Sequence, residues 1–81
     1  MLSFDEFRTT CHTAIRKAKP NLRDLSSVDD ATEFNVIGLD SLDMMNFLLE
    51  LEGLLEVEIG AMDMKEYNSV EKIYSYYKNL A

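Results

Sequence analysis

A chain of 81 residues, 47% of them hydrophobic and with only three Gly and one Pro, describes a single folded domain spanning 1–81 and excludes disorder. Fifteen acidic against eight basic residues give a net charge of −7, which opposes binding to nucleic acid or anionic membrane and favours partners with basic surfaces. The single Cys11 leaves no internal disulfide, and the only histidine, His12, projects about 100° away from it on a helix, so the two do not converge on a metal.

No stretch approaches the roughly 20 apolar residues of a membrane span. The acidic start Met1-Leu2-Ser3-Phe4-Asp5-Glu6-Phe7 lacks the basic and apolar regions of a signal peptide, so a cytoplasmic protein is expected.

Ser3-Phe4-Asp5-Glu6 reads as a capping box. Phe7, Cys11, Ala14, Ile15 and Ala18 follow at helical spacing until Pro20, which predicts a first helix from Phe4 to Ala18. Cys11 is expected as a buried small hydrophobe and His12 as a surface residue. Residues 20 to 40 carry no sustained periodicity but include Leu22, Leu25, Val28, Phe34, Val36 and Ile37. A loop of that length in a compact domain is functional or pinned to the core, here with a helical turn near Leu22 to Leu25.

Gly38 gives the backbone freedom ahead of a loop–helix junction, and Asp40 and Ser41 are both good N-cap types. The second helix is predicted from Ser41 to Leu55, with Met44, Phe47, Leu48, Leu51 and Leu55 on one core arc. Leu42, Met45 and Leu49 form a second apolar group well off that arc, bordered by Glu52 and Glu56. A wider buried face or a partner surface accounts for such a group equally well. A short third helix is expected around Met62 to Glu66. Asn68 or Ser69 then caps a fourth carrying Val70, Ile73, Tyr74 and Tyr77, with tyrosine hydroxyls reaching water. The fold class is all-α: a small four-helix bundle of three main helices and one short one, with a long first loop.

Little here supports catalysis. Ser41 has no G-x-S-x-G elbow, and the only histidine lies on another element. The carboxylates read as a solvated face, and Asp29-Asp30 and Asp40-Ser41-Leu42-Asp43 lack the ligand spacing of a calcium loop. On its own, Asp-Ser ahead of a helix is an ordinary capping pair.

The run Ile37-Gly38-Leu39-Asp40-Ser41-Leu42-Asp43-Met44-Met45 resembles the Asp-Ser-Leu attachment motif of acyl carrier proteins. The similarity extends along the chain, through the long loop with Phe34, Glu58-Ile59 at the exit of the second helix, and Ser69-Val70 opening the last. The resemblance implies a carrier and no enzyme, with 4′-phosphopantetheine from coenzyme A attached to Ser41 and acyl groups held on its thiol as thioesters. Implied partners are a phosphopantetheinyl transferase, an acyl-loading ligase or acyltransferase, and ketosynthase-type enzymes, each meeting a monomeric carrier. The docking surface it implies comprises Asp40, Leu42, Asp43, Met45, Leu49, Glu52 and Glu56. The acyl pocket comprises Phe34, Met44, Leu51, Ile59, Met64 and Tyr67. Fatty acid, polyketide or specialised acyl biosynthesis all fit; an aminoacyl or peptidyl carrier and a non-carrier acidic adaptor are the alternatives.

Overall fold

The computed structural model describes residues 2–21, 29–59, 63 and 65–80. Among these the chain forms three helices and no strand: α1 Phe4–Ala18, α2 Ser41–Leu55 and α3 Val70–Leu80. The helical turn expected near Leu22 to Leu25 lies outside the described residues, as do Met62 and Met64 of the expected short helix. What is described of that segment is a turn, in which the Asp63 carbonyl accepts the N–H groups of Glu66 at 3.1 Å and Tyr67 at 2.9 Å.

Each helix starts where a side chain satisfies first-turn N–H groups that the helix itself leaves unpaired. At α1 the Ser3 hydroxyl accepts the Glu6 N–H at 3.2 Å while the Glu6 carboxylate accepts the Ser3 N–H at 3.0 Å. At α3 the Ser69 hydroxyl accepts the Lys72 N–H at 3.3 Å. α1 buries Phe7, Cys11, Ala14 and Ile15, spaced four, three and one apart on one face. α2 contributes Met44, Phe47, Leu48 and Leu51 to the same core, and α3 adds Val70, Ile73 and Tyr77. Leu55, placed on the core arc, is half-buried. α1 packs against both other helices, and Phe34, Leu39 and Ile59 close the core from the connecting segments.

The described part of the first loop, 29–40, is pinned by polar contacts as well as by the buried Phe34 and Leu39. Arg8 reaches from α1 to grip Asp30 with both ends of its guanidinium, at 2.6 and 2.7 Å, in the bidentate geometry that suits arginine. The Asp30 carbonyl accepts the Glu71 N–H and the Asn68 carbonyl accepts the Phe34 N–H, both at 2.9 Å, so the loop is stitched to the start of α3. Phe34 lies on Phe47 with ring centroids 5.1 Å apart. Val36 departs from the expected pinning: it is 71% exposed, because the turn through Asn35 to Gly38 directs it outward while Phe34 and Ile37 take the inner side.

Three further expectations are refined. Cys11 is fully buried, and burial pushes its thiol pKa up, so it remains a protonated, unreactive core group. His12 is half-buried rather than on the surface, and burial, with Arg16 nearby, lowers its pKa. The hydroxyls of Tyr74 and Tyr77 do not simply reach water. Tyr77 accepts the Leu2 N–H at 3.0 Å and Tyr74 donates to the Leu2 carbonyl at 3.3 Å, which ties the start of the chain to α3.

Candidate functional site

Ser41 is the first residue of α2, and the cap that starts this helix is built around it rather than from it. Asp40 is the N-cap: its carboxylate accepts the Asp43 N–H at 2.8 Å, and the Asp43 carboxylate accepts the Asp40 N–H at 3.1 Å. Of the two cap candidates in the sequence, the aspartate takes the role. The Ser41 side chain is exposed and outside those reciprocal bonds, beside the positive end of the helix dipole.

The approach to Ser41 is set by Gly38, whose φ of 97° lies in the region that side chains with a Cβ rarely adopt. The turn is closed by Gly38 N–H to the Asn35 carbonyl at 3.2 Å and Leu39 N–H to the Phe34 carbonyl at 3.1 Å. Lys19, just past the end of α1, then clamps the junction. Its ammonium donates to the Gly38 carbonyl and, at 3.1 Å, to the Asp43 carboxylate. The Asp40 N–H and, after it, Lys19 hold the Asp43 carboxyl below the usual carboxylate range.

That network gives a pH-dependent prediction. A depressed carboxylate pKa stabilises the fold above its unfolded value of about 3.9, and the contribution is lost as pH falls through the native value. Lys19→Met is therefore expected to lower the melting temperature at pH 7. The gap from the parent should begin to narrow below about pH 3.9 and go on narrowing as pH falls through the depressed native value, where the Asp43 carboxylate takes up its proton. Thermal melts from pH 7 down to about pH 2 check this; a gap that stays constant would show that the Lys19–Asp43 pair contributes nothing.

A cleft of about 370 Å³ opens beside Ser41. Phe34, Leu39 and Met44 supply its apolar walls, and Asn35, Asp40, Lys65 and Asn68 its polar ones. Of the positions implied for an acyl pocket, Phe34 and Met44 line it. Leu51 and Ile59 are packed into the core, Tyr67 stacks edge-on against Tyr76 at 5.1 Å, and Met64 lies outside the described residues. Lys65 and Asn68 were not legible as site residues, since they come from a distant segment with no motif of its own.

Of the implied docking residues, Leu42, Met45 and Leu49 are 65%, 55% and 67% exposed, so this apolar group is not part of a wider core face. Asp40 and Glu56 are exposed and Glu52 half-buried at its margin. Asp43 differs: its side chain is only 19% exposed and is engaged by the cap and Lys19. Among the described residues no group of acidic, histidine or cysteine side chains is arranged to hold a metal, and no helix is long and apolar enough to cross a membrane.

Comparison with known proteins gives the family. The family model for the phosphopantetheine attachment site matches residues 18–77, most of the chain. The chain is 37% identical over 51 residues to the acyl carrier protein of Syntrophus aciditrophicus (strain SB). That stretch covers 63% of this chain and 64% of the relative, so the match spans less than two thirds of the relative's own length. No solved structure gives a significant match. The chain belongs to the phosphopantetheine-attachment family, that of the acyl carrier proteins. Domains of this family are carriers and not enzymes, and the group they bear covalently is 4′-phosphopantetheine.

The residues present fit that group. Attachment needs a hydroxyl that is open to an incoming enzyme and not required by the fold, and Ser41 meets both conditions.

Proposed function

We propose that this protein carries acyl groups for a biosynthetic pathway, with Ser41 bearing the phosphopantetheine. The observation that carries the reading is an exposed serine at the first position of α2, excluded from its own helix cap and lining a cleft. When bound, the group supplies a long flexible thiol on which an acyl chain is held as a thioester. Everything else falls to the polypeptide. Asp40, Asp43 and Lys19 hold the junction in one geometry, so that an enzyme meets Ser41 in a constant setting.

Leu42, Met45 and Leu49, with Asp40, Glu52 and Glu56 around them, form the surface that partner enzymes read. The apolar group supplies contact area, and the carboxylates steer basic partners at long range. Phe34 and Met44 are the pocket positions open to cargo. Fatty acid and polyketide synthesis are both compatible with this arrangement, as is a dedicated acyl pathway.

Incubation with coenzyme A, magnesium and a broad-specificity phosphopantetheinyl transferase tests the reading. Intact mass is expected to rise by one phosphopantetheine, and an unchanged mass refutes it. For the surface, Met45→Glu is expected to slow transfer by the same enzyme at least tenfold, a loss of about 1.4 kcal/mol of recognition. Its melting temperature should stay close to the parent's, because Met45 is exposed. Unaltered transfer would remove Met45 from the docking surface.

A further inference from the structure

A phosphodiester on Ser41 adds negative charge to a chain already at −7, and places it next to the exposed Asp40. The cap makes this worse, since Asp43 stands two residues further on in the same turn. The Lys19 ammonium is already divided between the Gly38 carbonyl and Asp43. Across the cleft the situation is different. Among the described residues, Lys65 is the one cationic side chain of the lining, and it forms no ion pair with any of them. Its backbone is held in place, because the Asp63 carboxylate accepts the Lys65 N–H at 2.9 Å within the turn that precedes α3. Asn68, also on the lining, is fixed between Glu33, to which it donates at 2.9 Å, and Lys72, whose ammonium it accepts at 3.2 Å. Among the described residues the cleft thus has apolar walls at Phe34, Leu39 and Met44 and one positively charged side chain, that of the exposed Lys65.

From this we infer that Lys65 is the counter-charge for the phosphodiester on Ser41, and that this pairing draws the attached arm into the cleft. The inference rests on Ser41 being the attachment site. A charge-assisted contact of ammonium with a phosphate oxygen is stronger than a neutral hydrogen bond. An ion pair at an exposed rim contributes modestly, so the effect belongs in the difference between modified and unmodified protein.

The test compares unmodified and phosphopantetheine-bearing protein for the parent and for Lys65→Met, Lys65→Arg and Lys17→Met, at low salt. Loading from coenzyme A alone leaves a bare thiol, so no acidic cargo contributes. Intact mass first establishes that each protein carries the arm. Thermal melts and the phosphorus NMR signal of the phosphodiester then follow. In Lys65→Met the change in melting temperature on modification is expected to be about 2–4 °C less favourable than in the parent, with a displaced phosphorus signal. Lys65→Arg should restore most of both. Lys17→Met, which removes an exposed charge from the last turn of α1, should leave both as in the parent. Salt at about 1 M should erase the difference. The same change on modification in Lys65→Met as in the parent, or an equal loss in Lys17→Met, overturns the assignment. A parent protein that gains no mass refutes the carrier reading itself and this inference with it.

Discussion

Ser41→Ala protein, incubated with coenzyme A, magnesium and a phosphopantetheinyl transferase, is expected to gain no mass under conditions that load the parent completely. The loss should be absolute, since the hydroxyl oxygen is the atom to which the phosphate is joined and a methyl group offers no substitute. Stability should not follow it. Ser41 is exposed and the cap bonds run between Asp40 and Asp43, so the melt should stay within about 0.5 kcal/mol of the parent. That separation gives the experiment its force. A non-carrier adaptor binding through Leu42, Met45 and Leu49 would tolerate Ser41→Ala in every assay, whereas a carrier keeps its fold and loses its cargo. Mass gain that persists in Ser41→Ala places the attachment on another residue.

The second large effect is expected at Phe47. Its ring is fully buried in the middle of α2 and lies against Phe34, the residue by which the first loop enters the core. Truncation to alanine removes a large apolar side chain and leaves a void beside Phe34, at a cost of about 3–5 kcal/mol. A domain of this size is stable by about 4–12 kcal/mol in all, so Phe47→Ala should lose much of its stability and melt far below the parent. Phe47→Leu keeps most of the volume and should lose less, about 1–1.5 kcal/mol. Urea unfolding of the three proteins measures the series. A Phe47→Ala midpoint close to the parent's would mean that the loop and α2 are not coupled through these rings. Where the coupling holds, the loop leading to Ser41 should also loosen, because Leu39 N–H bonds the carbonyl of Phe34 and so transmits its position toward Asp40.

The sequence by itself determined what depends on neighbours three and four residues apart. Ser3 with Glu6, Asp40 ahead of an apolar run and Ser69 ahead of Val70 are local signals, and the helix bounds Phe4–Ala18 and Ser41–Leu55 follow from them and from Pro20. The junction serine is equally local, which is why Ser41 stands out on the page of letters. Periodicity also separated the buried Met44, Phe47, Leu48 and Leu51 from the exposed Leu42, Met45 and Leu49, although it left open whether the second group was core or surface.

Only the tertiary structure decided that question, and with it the use of the charges. Nothing near Lys19 in sequence says that its ammonium meets Gly38 and Asp43, or that Arg8 grips Asp30, or that two tyrosines of α3 hold Leu2. Asp43 was legible as one more acidic residue of α2, yet its cap bonds with Asp40 and a contact with a distant lysine turn it from a surface charge into part of the frame around Ser41. The cleft is the same kind of fact, since Phe34, Met44 and Lys65 become its walls only when three separate segments are brought together. Helix starts depend on hydrogen bonds within one turn, which the order of residues specifies directly. The partner of a long flexible side chain depends on where the folded backbone carries other segments, and that is set by the packing of the whole core.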